Sequence, residues 1–284
     1  MTDTELDLSS PHPRRRGLGL LLRLGVVVLV LLVAGGGVLL QRLVVGHDSQ
    51  PPAAEAPAEQ VPAANVQPGE VTPAPVDITD TAAKPQAKPR PRAGEDPLRT
   101  WAEGLSSPTG VPARALMAYG NAELVLHETD PGCRVSWATL AGIGRIESNH
   151  GQYGGATLGD DGRPSEPIIG VPLDGSAGVK AISDTDGGQF DGDPRVDRAV
   201  GPMQFIPSTW QRWAADANLD GRGDPQQIDD AALAAARYLC VGGRDLAQPA
   251  DWWAAVFSYN NSVPYGQKVF GLADGYARTA MKHA

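Results

Sequence analysis

The sequence predicts a mainly α-helical domain carrying a Gly/Asp-rich loop or small β element, preceded by one transmembrane helix and a disordered Pro/Ala-rich linker. Three observations carry this expectation. A long uncharged apolar run lies near the N-terminus, a tract without aromatic residues follows it, and all sixteen aromatics then fall between Trp101 and Tyr276. Only the part beyond the tract can build an ordinary core.

The apolar run comes first. Between Arg23 and Gln41 stand seventeen uncharged residues, mostly Leu and Val. At about 1.5 Å per residue they make about 25 Å of helix, close to the hydrocarbon thickness of a bilayer. A cleaved signal peptide usually has an apolar core of about 7 to 15 residues, so the longer run favours a retained anchor. Arg14, Arg15, Arg16 and Arg23 precede the run and only Arg42 follows closely, which keeps the N-terminus in the cytoplasm. The chain thus divides into a cytoplasmic tail (1–16), a membrane anchor (17–45), a linker (46–95) and a folded extracytoplasmic domain (96–284). The linker is Pro, Ala, Gln, Val and acidic residues with no helical or alternating period, a composition that cannot offset its own chain entropy. A net charge of −9 argues against nucleic acid as a partner, because binding it takes a concentrated basic face.

Within 96–284 the signals are mostly helical. VPARALMAYGNAELVL (111–126) opens on a proline suited to the first helical position. RVSWATLAGIGRIESNHG (134–151) follows a DPGC turn and is expected to end on Gly151 as a left-handed cap. PSTWQRWAADA (207–217), DPQQIDDAALAAARYLCVGG (224–243), PADWWAAVFSYNN (249–261) and PYGQKVFGLADGYARTAMKHA (264–284) complete the helices. For the helix in 224–243, Asp224 is the expected N-cap, with Gln227 closing a capping box. SEPIIGVPL (165–173), inside the Gly/Asp-rich stretch 151–200, is expected to give a strand or hairpin. Cys133 and Cys240 in an exported domain read as one disulfide, with two buried thiols as the alternative.

Three segments carry candidate chemistry. In RIESNHG (145–151), Glu147 shares a helix side with Leu140, Ile143 and Gly144, so it points inward. Burial and the negative end of the helix dipole both disfavour its ionised form. A carboxylic acid kept protonated near neutral pH is what cleaving an acetal requires. Gly144 is expected to leave room for a ligand, although a helix-end glutamate taken alone is more often simply solvated. In AVGPMQFIPSTW (199–210), Pro202 and Pro207 stiffen a path that holds Met203, Gln204 and Phe205. The Gln204 amide suits the N-acetyl group of an amino sugar, and Met203 and Phe205 would offer apolar surface to sugar faces. A core-plugging loop is the other reading of that segment. In WAAVFSYNNS (253–262), Tyr259 is placed to hydrogen-bond Glu147 and Asn260 to hold a sugar or a water. A buried tyrosine beside an asparagine cap explains the same two residues equally well.

IESNHG, GPMQFIPSTW and SYNN, in that order, closely resemble the motifs of lytic murein transglycosylases of the soluble-lytic and membrane-bound B type, over roughly residues 98–275. The resemblance implies a lysozyme-like helical fold and non-hydrolytic cleavage of the MurNAc–GlcNAc β-1,4 bond of peptidoglycan, leaving 1,6-anhydromuramyl ends. It makes Glu147 the single acid and base, with Ser148, Met203, Gln204, Phe205, Tyr259 and Asn260 lining the glycan cleft. The implied partners are peptidoglycan glycan strands, the cytoplasmic membrane through residues 17–45, and cell-wall synthesis or division proteins. No cofactor is required.

Ordinary glycosidases pair two carboxylates. Here Asp184, Asp186, Asp191, Asp193 and Asp197 stand in a loop that fixes none of them opposite Glu147. The resemblance implies that the substrate's own acetamide serves instead. A hydrolytic muramidase and a non-catalytic glycan-binding scaffold are the other readings. DANLDGRGDPQQIDD sets Asp216, Asn218 and Asp220 at the first, third and fifth places of a calcium loop, but Gln227 stands at the twelfth. A structural calcium completed by Asp229 or Asp230, as some relatives carry, is weighed against a turn that caps the following helix.

Overall fold

Prolines and short polar caps delimit the helices. The structure, a computed structural model, describes residues 58, 60–78, 96–176 and 180–283, all within the unit Ala54–Ala284. Helix α1 (Pro97–Thr109) starts at Asp96, whose carboxylate accepts from the Leu98 N–H (2.9 Å), and stops at left-handed Gly110. Helix α2 spans Ala113–Thr129. Helix α3 (Trp137–Ser148) opens on Ser136, whose Oγ accepts from the Thr139 N–H (3.3 Å). A 3₁₀ turn, Tyr153–Gly155, follows. Strands β1 (Ile169–Pro172) and β2 (Arg198–Val200) pair antiparallel, with Ile169 opposite Val200. Then come α4 (Pro207–Trp213), α5 (Ile228–Leu239), α6 (Pro249–Tyr259) and α7 (Val263–His283). The described chain is thus mainly helical with one small two-stranded sheet, as the sequence predicts.

Helix α3 is the most enclosed element. It runs along α7 and touches α2, while α2 in turn packs along α5. Trp137, Leu140 and Ile143 are fully buried as a result. Gly142 permits the close approach of α7, since a Cβ there would stand 3.0 Å from the Val269 carbonyl oxygen. The disulfide Cys133–Cys240 joins the turn before α3 to the C-cap of α5 across 107 residues. In the chain-entropy model, closing a loop of that size is worth about 4–5 kcal/mol.

Helix ends depart from the sequence reading for local reasons. The N-cap of α5 is Gln227, whose Oε1 accepts from the N–H groups of Asp229 (2.6 Å) and Asp230 (3.0 Å), and Asp224 instead caps the turn before it through the Gln226 N–H. Helix α3 stops before Gly151: Asn149 is its left-handed cap (φ 52°), and His150 and Gly151 continue in the same region. Helix α4 does not reach residue 217, because Asp230 Oδ1 takes the N–H groups of Ala217 (2.7 Å) and Asn218 (3.3 Å).

The linker reading fails for residues 60–78, which form a strap on the domain. Val61, Val76 and Ile78 are buried. The Ile78 N–H donates to Glu123 Oε1 (2.7 Å) and the Ala74 N–H to Asp274 (2.9 Å), while Trp253 Nε1 donates to the Val71 carbonyl (2.9 Å). Composition bars this segment from forming a core alone, but its scattered apolar residues dock on a core that the rest of the chain supplies. Gly120 makes the space: a Cβ there would lie 2.8 Å from Ile78 Cδ1. Among the described residues no helix is long and apolar enough to cross a membrane. The tail, the anchor assigned to 17–45, and linker residues 46–57, 59 and 79–95 lie outside the described residues. Replacing Ile78 by Asp is expected to cost about 2–4 kcal/mol by burying an unpaired carboxylate. Thermal unfolding checks this, and an unchanged melting temperature would restore the free-linker reading.

Candidate active site

Glu147 sits half-buried in the last turn of α3, and its Oε1 accepts a hydrogen bond from the Tyr265 hydroxyl (2.5 Å). Tyr265 belongs to the first turns of α7 and is itself buried. The close packing of α3 on α7 therefore brings acid and phenol together. Burial pushes the Glu147 carboxyl up to about 7, and the Tyr265 hydrogen bond pulls modestly the other way. Burial, reinforced by the Glu147 charge, holds the hydroxyls of Tyr265 and Tyr259 well above the ordinary phenol range, so both stay donors.

The surrounding shape comes from strained backbone and buried anchors. Asn149, His150 and Gly151 are consecutive left-handed residues (φ 52°, 59° and 81°), and Gln204 is another (φ 48°). Such non-glycine conformations cost of order 1–3 kcal/mol each and persist where packing fixes them. Ser148 provides one fixing point: its Oγ donates to the Pro202 carbonyl (2.6 Å) and accepts from the Gly151 N–H (2.7 Å). Tyr259 provides another by donating to the Met203 carbonyl (2.7 Å). A Cβ on Gly201 would strike the Pro225 carbonyl, so the loop lies directly on the turn before α5.

The predicted site residues thus fall into two groups. Ser148 and Met203 have no exposed surface and Phe205 is only 3% exposed, so these three support the site from within and present no surface to a ligand. Phe205 packs edge-on against Trp210 and Tyr259, which is why it is withdrawn from solvent. Gln204 and Tyr259 are half-buried and Asn260 is exposed. Gln204 Nε2 donates to the Gly201 carbonyl (2.9 Å), leaving Oε1 beside Gly170. The phenol on Glu147 is that of Tyr265, whereas Tyr259 is spent on the Met203 loop. Sequence reasoning missed Tyr265 because it falls on the buried helical stripe with Val269, Ala273 and Ala277, where an aromatic reads as core.

The space beside Gly144 is filled. A Cβ there would collide with the Tyr119 hydroxyl and stand 3.4 Å from Met203 Sδ. Tyr119 Oη is paired with His150 Nδ1 (3.1 Å). His150 is 2% exposed, and burial with the Arg145 charge lowers its pKa to about 3, so it remains neutral. Its Nε2 finds no partner among the described residues. Gly144 is therefore a packing requirement and leaves no ligand space.

The acidic loops serve themselves. Asp184 accepts from the N–H groups of Asp186, Gly187 and Gly188, Asp186 from Phe190, and Asp197 from Thr185. Asp191 holds the Arg198 N–H, and Asp193 pairs with Arg198. In the candidate calcium loop, Asp216 accepts from Asp220 and Gly221 N–H, and Asn218 pairs with Asp220. Among the described residues, the side chains weighed for completing that loop are engaged elsewhere. Gln227 at the twelfth place is the α5 cap, Asp229 pairs with Arg114, and Asp230 holds the Ala217, Asn218 and Asp224 N–H groups.

Comparison with known proteins bears on the second half of this site. Residues 196–256 match the family described as Transglycosylase SLT domain. That span holds Met203, Gln204 and Phe205, with Glu147 upstream of it and Tyr259 and Tyr265 beyond it. No curated protein matches the chain. Among solved structures, the Escherichia coli lytic transglycosylase Slt35 in complex with bulgecin A is similar at 14% identity and a TM-score of 0.34, over 64% of this chain and 79% of that one.

Gly144→Ala separates the two readings of that glycine. In an open helix, alanine gains up to about 1 kcal/mol, whereas overpacking a filled core costs typically about 1–3 kcal/mol. A lower melting temperature is expected, with Gly104→Ala on α1, where a Cβ would meet nothing within 4 Å, as a neutral or stabilising control. A stabilised Gly144→Ala variant would contradict the packing.

Proposed function

We propose that the chain is a peptidoglycan lytic transglycosylase that cleaves the MurNAc–GlcNAc bond without water and leaves 1,6-anhydromuramyl ends. One observation carries the reading: Glu147 is a single sheltered carboxyl, raised to about 7 by burial and held by Tyr265. A protonated carboxyl is the form that can donate to a departing glycosidic oxygen. Once ionised, the same group can take the proton of the muramyl C6 hydroxyl, whose intramolecular attack benefits from high effective concentration. The loop aspartates are bound to their own backbone or to loop arginines, which supports a mechanism with one carboxylate and help from the substrate's acetamide. The match of residues 196–256 to a transglycosylase domain supports the substrate class. The disulfide fits an oxidising compartment, in keeping with a domain on the outer side of the cytoplasmic membrane, within reach of cell-wall strands.

Mass spectrometry of digested sacculi tests the reaction. Products one water lighter than hydrolytic muropeptides are expected, and muropeptides with ordinary reducing ends would reassign the enzyme as a hydrolase. Glu147→Gln is expected to lower turnover by about 10²–10⁴-fold with an unchanged fold. Appreciable residual turnover would refute the role.

The pH dependence has a definite sign. The donor must carry its proton, so turnover falls as pH rises through about 7. Tyr265→Phe removes the hydrogen bond that favours the ionised form, so the Glu147 pKa rises and the alkaline midpoint moves to higher pH. A pH–rate profile of this variant checks the direction, and a shift to lower pH would contradict the assigned contact.

A further inference from the structure

A peptidoglycan strand is far longer than the two sugars at the cleaved bond, so the remaining units must lie somewhere along the protein surface. This inference rests on the transglycosylase reading and deepens it. A groove of about 310 Å³ opens between the turn Tyr153–Gly155 and the segment Ser165–Ile169, a size within the usual range of small-ligand sites. Both walls continue the candidate active site. The first is the chain that leaves Glu147 through its left-handed turn. The second lies on the Gln204 loop: the Ile168 carbonyl accepts from the Gly201 N–H (2.8 Å), and Gln204 Oε1 abuts Gly170.

The walls are fixed to one another and to the core. The Thr157 N–H donates to Ser165 Oγ (3.1 Å) and the Ser165 N–H to the Thr157 carbonyl (2.8 Å). Gln226 clamps Ile168 through both its N–H and its carbonyl (3.0 Å each). Such a groove is formed before any ligand arrives, so binding it costs little ordering.

Its chemistry is that of a sugar site. Tyr153 is one of the few large apolar side chains left exposed among the described residues, at 37%, and it lines the groove together with Gly154 and Gly155. Apart from adjacent residues of the chain, nothing lies within 4 Å of where a Cβ on either glycine would stand, so the backbone there is open. Ser165 and Glu166 supply polar groups at the opposite side, near apolar Pro167 and Ile168. An apolar ring face with a polar rim matches the amphipathic ring of a hexosamine. Among the described residues lining the groove none is basic, which disfavours the carboxylates of a stem peptide. We propose that this groove is a distal saccharide subsite in which Tyr153 stacks on an N-acetylhexosamine ring of the strand whose cleaved bond lies at Glu147.

The test compares the full-length wild type with Tyr153→Ala and Tyr153→Phe on long peptide-free glycan strands and on the shortest oligosaccharide that the wild type cleaves. Tyr153→Ala should lower kcat/KM on long strands roughly fivefold, the worth of about one aromatic contact. It should leave the short substrate, the pH profile and the melting temperature unchanged. Tyr153→Phe, which keeps the ring, should match the wild type on both substrates. Equal losses on both substrates, or no loss on either, would overturn the subsite while leaving the transglycosylase reading intact. A wild type inactive on every glycan would remove both.

Discussion

The contact between the Tyr265 hydroxyl and Glu147 is the constraint on which the rest depends. It exists only because α3 and α7 approach closely, and that approach exists because Gly142 presents no side chain to the Val269 carbonyl. Three consequences follow from one packing decision. The carboxyl loses water, which lifts its pKa toward neutrality. One of its oxygens is fixed by a donor. The phenol is buried beside a potential negative charge and so keeps its own proton. A group that must give up a proton and later recover one is best served by a pKa near the working pH, and burial is the main source of that here.

Around that contact the molecule spends stability on shape. The left-handed run Asn149, His150 and Gly151 and the left-handed Gln204 are the conformations that local sterics oppose. They are held by one bond between the two segments, Ser148 to Pro202, and by bonds from the helices around them, Tyr259 of α6 to Met203 and Tyr119 of α2 to His150. Side chains that look like ligand contacts in the sequence are therefore largely the frame that aims the backbone, and of the predicted ones only Asn260 is exposed while Gln204 is half-buried. The strap at 60–78 extends the same economy outward, since it completes the surface of α2, α6 and α7 with residues too sparse to fold alone.

Much of the fold was legible in the sequence because its signals are local. Proline and serine at helix starts, the even spread of apolar residues and the position of Glu147 on the inner side of α3 all follow from short-range periodicity. Helix α1 carried the same kind of signal in Asp96 and Pro97, but few of its residues are apolar, so little else marked it. What the sequence hid depends on contacts between distant segments. Gln227 displaces Asp224 as a cap only once Asp229 and Asp230 are placed above it. Tyr265 is a core residue by pattern and becomes a partner of Glu147 only through α3–α7 packing. The exposure of Gln204 and the burial of Met203 and Phe205 cannot be separated within one short loop, because all three share its irregular path. The strap was misread because composition judges whether a segment folds by itself and says nothing of whether a neighbour will accept it.

The measurement that bears most directly on this account is the titration of the Glu147 carboxyl carbon by NMR in protein labelled at glutamate, with the signal identified by its loss in Glu147→Gln. A midpoint close to 7 is predicted. A midpoint in the ordinary glutamate range, about 4.3, would mean that the group is hydrated and ionised at neutral pH, and the account of this site would fail.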